Sequence, residues 1–356
     1  MSVSCALKQG ETSPPSAIAA GGKLIIQIPC LNEAQTLGVT LAALPREVKG
    51  FSSVEWLIVD DGSTDETVAI ARAHGVDHIV SHATNRGLAV AFMSGLEAAL
   101  AAGADVIINT DADNQYDARD IPSLAQPILE RVADMVIGAR PIDDTEHFSW
   151  IKKKLQRLGS WAVRVASKTD VTDAPSGFRA VTREAAMRLN VFSAYTYTLE
   201  TIIQAGLSDL RVVSVPIRTN PDLRPSRLVS SIPNYVRRSV GTIARVFVIY
   251  RPLAMFSGMG ALCILFGLIV GIRFLYLLVT GHGEGHVQSV VLTALSLIVG
   301  VLMLALALIA DLIAVNRKLS EQILLRVRRL EQSKIPDSSA SQGSKASPPS
   351  GYGADP

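Results

Sequence analysis

Two stretches of this chain carry no charge at all: twenty residues from Leu253 to Ile272 and twenty-four from Val287 to Ala310. At about 1.5 Å of rise per residue, a helix of that shorter length covers roughly 30 Å, the thickness of a bilayer's hydrocarbon. Buried helices of soluble proteins are usually shorter, so both stretches read as membrane-spanning helices. The connection "GHGEGH" (281–286) holds no Lys or Arg. Outside the pair lie Arg237, Arg238, Arg245 and Arg251 on one flank, and Arg317, Lys318, Arg326, Arg328 and Arg329 on the other. By the positive-inside rule both flanks and both termini are expected on the cytoplasmic side, with the tight loop outside. Arg273, near the outer end of the first span, can snorkel; even centrally placed it would cost only about 3 kcal/mol. Asp311 closes the second span near the inner surface.

The rest of the 356 residues must then be cytoplasmic protein. The N-terminus has no long apolar core and is not a secretory signal. Cys5, Cys30 and Cys263 show no paired spacing, which fits a reducing cytosol and neither a disulfide framework nor a thiolate metal site. A net charge of +2 is too small to indicate nucleic acid. The basic residues cluster beside the spans, where anionic lipid is the simpler partner.

Residues 1–22 and 333–356 read as disordered, being polar and rich in Ser, Pro and Gly. Between them, strands and helices alternate. "KLIIQIP" (23–29), "EWLIVD" (55–60), "DHIVSH" (77–82), "DVIINTD" (105–111) and "DMVIGAR" (134–140) read as strands. Helices are expected over 32–44 with Asn32 as cap, over 63–75 with a Ser63/Glu66 capping box, then in "GLAVAFMSGLEAALAAG" and "DIPSLAQPILERV". Such alternation implies an α/β domain over 23–228, its mostly parallel sheet flanked by helices on both faces. Ligands of such sheets bind beyond the carboxyl ends of the strands. "FSWIKKKLQRLGSWAVRVAS" (148–167) reads as an amphipathic helix with Trp150 and Trp161, lying on the sheet or on the membrane. Interfacial helices are expected over 229–251, the two spans and their loop within 252–316, and a short cytoplasmic helix over 317–332.

Chemistry collects at the strand ends. Asp111 and Asp113, in "INTDADNQYD", follow an apolar run. Residues two apart in extended chain share a side, so a hard divalent cation, Mg²⁺ or Mn²⁺, would offset their repulsion. An EF-hand fails, because Tyr116 replaces its Gly and Pro122 its closing Glu. A D-x-D by itself is a weak signal, since an isolated Asp commonly caps a turn. "VDDGSTDET" (59–67) sets Asp60 and Asp61 at another strand end, suited to a base or ribose. The first strand–helix turn, "IPCLNEAQTL", lacks Gly-x-Gly-x-x-Gly, so an NAD site of the Rossmann kind is excluded. The histidines at 74, 78, 82, 147, 282 and 286 form no motif and are expected in surface or capping roles.

Taken in order, "IPCLNEA", "VDDGSTD", "NRGLAVAFMSGL", "DADNQYD", "GAR" and "SGFRA" resemble the inverting family-two glycosyltransferases of the GT-A fold, over about residues 23–220. Within them the likeness is to polyprenyl-phosphate sugar synthases of the dolichol-phosphate mannose and glucose type. The resemblance implies that Pro29, Asn32 and Glu33 line a nucleotide pocket and that Asp60, with Asp61, reads base and ribose. It places Asn85 and Arg86 near a nucleotide-sugar donor. Asp111 and Asp113 would hold the cation on the donor diphosphate, with Gln115 in the same shell. Asn114 and Tyr116 stand where the family commonly has Leu and His, which bears on donor choice. A polyprenyl phosphate acceptor is already ionised and needs cationic positioning in place of a base; Arg140, Arg179, Arg224, Ser226 and Arg227 are the candidates. A hydroxyl acceptor would need a carboxylate base, and Asp173 and Glu200 are available. The rival readings are transfer to a lipid or glycan hydroxyl, a nucleotidyltransferase on a similar fold, and a non-catalytic membrane scaffold. Self-association is an open expectation of the same resemblance.

Overall fold

The computed structural model describes residues 21–141, 160–191 without 162 and 166, 197–221, 241, 244–245, 248–281 and 287–333. Expectations for Trp150, for Arg224, Ser226 and Arg227, for both chain ends, and for most of 148–167 and 229–251 lie outside the described residues.

Seven strands make one sheet: β1 (Gly22–Cys30), β2 (Phe51–Asp60), β3 (His78–Ser81), β4 (Val106–Asn109), β5 (Met135–Ala139), β6 (Arg179–Thr182) and β7 (Val212–Pro216), in the order β3-β2-β1-β4-β6-β5-β7. All neighbours run parallel except β6, which is antiparallel to both β4 and β5. The reason lies in the path: the chain leaves β5 at the carboxyl edge and Arg179 pairs with Asn109 at that same edge, so the new strand must run backwards.

Side chains alternate across the strands, as the two-residue period requires. Ile25, Leu57, Val59 and Ile107 face one core; Leu24, Ile26, Ile28, Ile58 and Ile108 face the other. The first is closed by α3 (Leu88–Ala101), α5 (Arg183–Arg188) and α6 (Thr198–Leu207), the second by α1 (Leu37–Ala43), α2 (Thr67–Ala73) and α4 (Ile121–Leu129).

Two helix starts differ from the sequence expectation. α1 begins at Leu37, not at residue 32, because Asn32 sits at φ 53°, outside the helical region. α2 begins at Thr67, and Ser63 and Glu66 form no capping box. The polar groups of the two turns bind each other first. The Asn32 N–H donates to Ser63 Oγ at 2.9 Å, and the Thr64 N–H donates to Asn32 Oδ1 at 2.8 Å. Asp65 accepts instead from the N–H groups of Thr67 and Ala34, each at 3.1 Å.

At the C-terminal end, α7 (Pro252–Val279) and α8 (Val287–Ser333) are both long and apolar enough to cross a membrane. Only 6% and 11% of their most apolar windows are buried, so neither is a core helix of the α/β domain. They pack closely where Gly260 meets Gly300: a Cβ on Gly260 would lie 2.9 Å from the Gly300 carbonyl oxygen. Small residues permit such approach in membranes, where lipid is as apolar as the side chains. The separate helix expected over 317–332 is the last part of α8, since no Gly or Pro interrupts 311–333. At 47 residues α8 is about 70 Å long.

The last turns of α8 dock on the α/β domain. Arg328 donates to the carbonyls of Met187 and Leu189 at 3.1 and 2.8 Å and pairs with Glu97 at 3.2 Å, while Arg329 pairs with Glu184. Higher up, the Arg317 guanidinium lies 4.4 Å over the Tyr250 ring, and the Tyr250 hydroxyl donates to Glu200 at 3.1 Å.

Candidate active site

The carboxyl ends of β1, β2, β4 and β5 and the start of β6 share one edge of the sheet, which gathers most of the residues picked from the sequence. Pro29 is the second-last residue of β1, paired with Val59. The β1 turn then carries Asn32 and Glu33, whose carboxylate accepts from Thr36 Oγ1 at 3.0 Å. Asp60 ends β2 and accepts from the Ser63 N–H at 2.9 Å.

Asp61 has a different task from the one expected of it. Its carboxylate accepts from the Arg86 N–H at 2.9 Å and the Gly87 N–H at 2.8 Å, and meets His82 Nδ1 at 2.7 Å. Three partners leave it little capacity for a base or ribose; it holds the 82–87 loop against β2. His82 is therefore no surface residue: its side chain is only 7% exposed, and its other ring nitrogen reaches Ser94 Oγ at 3.0 Å. Gly62 makes room for this loop. It has φ +82°, and a Cβ there would come 2.7 Å from the Thr84 carbonyl carbon. The loop leaves Asn85 and Arg86 exposed on the rim, with Asn85 Oδ1 accepting from the Gly87 N–H at 2.9 Å.

Asp111 and Asp113 follow β4. Burial, then the charge of Asp113, push the Asp111 carboxyl up to about 7, against the pull of Arg140 and Arg179. No hydrogen bond reaches the Asp111 carboxylate from any described residue, so its lone pairs remain open to a ligand. Asp113 Oδ1 accepts from the Gln115 N–H at 3.2 Å, which folds the loop into a turn, and Asn114 takes φ 58°. The Cys30 thiol is pushed up by burial and then by the charges of Glu33, Asp60, Asp111 and Asp65.

Two hard oxygen donors, one enclosed without a protein donor, suit Mg²⁺ or Mn²⁺. Among the described residues no cluster of three His, Cys, Asp or Glu forms. Mg²⁺ sites of such sparse protein ligation are completed by water and substrate phosphates.

Arg140 follows β5, and its Nε and Nη2 bind Asp173 in a fork at 2.7 and 3.0 Å, with its N–H at 3.2 Å. The pair is largely enclosed, so Asp173 is committed as the arginine's counter-ion and is poorly placed to serve as a base. Arg179 is a correction too. It is 1% exposed, and its guanidinium donates to the carbonyls of Thr198 and Ser176 and to Thr201 Oγ1. It shapes the electrostatics of Asp111 from within the core and does not open to a phosphate. Glu200 accepts from the Tyr250 hydroxyl at 3.1 Å, two residues before α7.

Several residues of the site carried no sequence signal. Asn109 Nδ2 donates to the Gly177 carbonyl and to Tyr197 Oη, both at 2.9 Å, and Tyr116 Oη accepts from the Gly177 N–H at 2.9 Å. Arg218 binds Asp120 through Nε at 3.0 Å, and Asn220 Nδ2 donates to the Asn114 carbonyl at 2.9 Å, tying the chain after β7 to the aspartate loop. Among these, Asn109, a polar residue closing an apolar strand, and Tyr116, standing where the resembled family commonly has His, were visible as anomalies.

Comparison with known proteins meets this geometry. Residues 25–192 match glycosyl transferase family 2. An uncharacterized glycosyltransferase of Mycobacterium tuberculosis is 33% identical over 57% of this chain and 87% of its own. The undecaprenyl-phosphate mannosyltransferase of Micrococcus luteus is 28% identical over 55% of this chain and 82% of its own. Among solved structures, glucosyl-3-phosphoglycerate synthase from Mycobacterium tuberculosis, in complex with Mn²⁺, UDP and glucosyl-3-phosphoglycerate, shares the fold. Its TM-score is 0.50 at 22% identity, over 63% of this chain and 80% of that one. With six motifs gathered at one sheet edge and a 33% identical relative matched over 87% of its own length, this chain is a glycosyltransferase and belongs to glycosyl transferase family 2.

Proposed function

We propose that this enzyme transfers a sugar, with inversion, from a nucleotide-sugar donor to polyprenyl phosphate at the cytoplasmic face of a membrane spanned by α7 and α8. The observation that carries the acceptor class is the state of the two candidate bases. Asp173 is locked in a fork with Arg140 and Glu200 is turned to Tyr250, which leaves a hydroxyl acceptor without a ready base. A phosphate acceptor is already anionic and requires none. The Micrococcus relative is named for transfer to undecaprenyl phosphate, which supports the same class.

In this reading Pro29, Asn32, Glu33 and Asp60 bind the nucleoside, and Asn85 and Arg86 cover the donor from the rim. Asp111 and Asp113, with Gln115 beside them, would hold Mg²⁺ or Mn²⁺, which supplies positive charge to the departing diphosphate. The structure similar in fold contains Mn²⁺ and UDP together, in keeping with that assignment. Arg140, oriented by Asp173, presents its charge at the same edge, where it meets acceptor or leaving-group phosphate. Arg224, Ser226 and Arg227, which follow Asn220 in the sequence, would bind the acceptor phosphate.

The test uses membranes expressing the chain, supplied with polyprenyl phosphate, Mg²⁺ or Mn²⁺, and a panel of radiolabelled sugar nucleotides. Label entering the organic phase with one donor, and absent with Asp113→Ala, is the expected result. Donor consumption only when glycans or glycolipids are added would replace the phosphate acceptor with a hydroxyl.

A further inference from the structure

The Asp111 carboxylate is held without hydrogen bonds from any described residue, yet it must sit in one place to share a ligand with Asp113. What holds it is a surface. A Cβ built on Gly177 would fall 3.0 Å from both Asp111 Oδ1 and Oδ2, so the bare Cα of Gly177 forms a wall facing the two carboxylate oxygens. Gly177 in turn is fastened at both its polar groups. Its N–H donates to Tyr116 Oη at 2.9 Å, and its carbonyl accepts from Asn109 Nδ2 at 2.9 Å. The Tyr116 ring is set by stacking on Phe178, centroids 5.0 Å apart, and by the Tyr116–Thr219 bridge. Tyr116 and Asn109 are both buried.

We propose that Tyr116 is a positioning residue for metal binding: its hydroxyl pins Gly177, and Gly177 fixes the Asp111 carboxylate in the orientation that a divalent cation needs. The proposal rests on the reading of Asp111 and Asp113 as cation ligands. Tyr116 neither touches the cation nor exchanges a proton with substrate. Its removal leaves a buried N–H without a partner, so Gly177 shifts to find one and the wall moves with it. The rigidity of metal sites depends on such outer partners, whose loss typically weakens binding by about 10- to 100-fold.

The experiment measures Mn²⁺ binding to the purified full-length chain with UDP present, by electron paramagnetic resonance of free Mn²⁺, for wild type, Tyr116→Phe, Gly177→Ala, the double variant and Asp113→Ala. Thermal unfolding without metal is recorded on the same samples, and dissociation constants are referred to the folded fraction. The expected result is about tenfold weaker Mn²⁺ binding in Tyr116→Phe, at least that loss in Gly177→Ala, and a double variant no weaker than Gly177→Ala alone. Wild-type affinity in Tyr116→Phe would overturn the proposal, as would losses that multiply in the double variant, because independent effects add in free energy. Should Tyr116→Phe not fold, Gly177→Ala decides alone: unchanged affinity there removes the wall. If wild type binds no Mn²⁺, or Asp113→Ala binds it equally well, the cation reading itself falls and the proposal with it.

Discussion

Single side chains divide here into those proposed to act on substrate and those that hold the catalytic edge in shape. The Arg140–Asp173 fork belongs to the first group, and its geometry is specific to a guanidinium. Arg140→Lys is expected to lower kcat/KM by about 100-fold, the scale of losing one preorganised donor to developing charge. Glu200→Gln is expected to fall far short of the ~100-fold or greater loss that removal of a general base brings. Steady-state assays with lipid acceptor separate the two. Gly62 belongs to the second group. In Gly62→Ala a methyl group meets the Thr84 carbonyl carbon at 2.7 Å in a left-handed conformation, a strain of about 1–3 kcal/mol, read as a lower Tm of the detergent-solubilised chain. The sequence marked which residues lie at the strand ends but not how their capacity is divided. Asp60 and Asp61 look equivalent in "VDDGSTD", and only the fold shows that Asp61 already serves two backbone N–H groups and His82. Arg179 looks like a phosphate ligand for the same reason: local sequence does not say that α6 will present the Thr198 carbonyl and the Thr201 hydroxyl to it.

Helices and strands were legible wherever hydrophobic periodicity set them, as in β1, β2 and α3. They were misread where side chains outcompeted the backbone. The late starts of α1 and α2 follow from polar bonds between two turns thirty-odd residues apart, which no local capping rule contains. The reversed β6 depends on where a long excursion returns, and that too is invisible in its four residues. Distant contacts also stitch the lower edge of the sheet. Asp134, just before β5, accepts from Arg211 at its N–H, Nε and Nη2, at 2.9 to 3.0 Å, just before the parallel partner β7. Burial alone would raise the Asp134 carboxyl, but these bonds outweigh it and hold it low. A depressed carboxyl contributes stability above its unfolded value, near 3.9, and loses it as pH falls through the folded value below that. Asp134→Asn is thus expected to melt lower than wild type at neutral pH, with the gap closing below about pH 4.

At the scale of the molecule, the two apolar helices set the expected orientation. A cysteine placed at Gly283 is expected to react with an impermeant maleimide from outside the cell, and one at Ser344 only after permeabilisation; the opposite pattern would reverse the topology. The docking of α8 has a further consequence. Tyr197, which contacts Asn109 at the catalytic edge, lies one helical turn from Glu200, and Glu200 is bonded to Tyr250, two residues before α7 begins. The catalytic edge therefore lies near the start of α7, the first of the two helices apolar enough to cross a membrane. On the proposed reaction, acceptor and product stay in the plane of the membrane, and the cleft meets them at headgroup height. Turnover should then obey surface dilution: the rate per enzyme follows the mole fraction of acceptor among lipids, falls when inert lipid is added to the same vesicles, and is indifferent to how much water surrounds them.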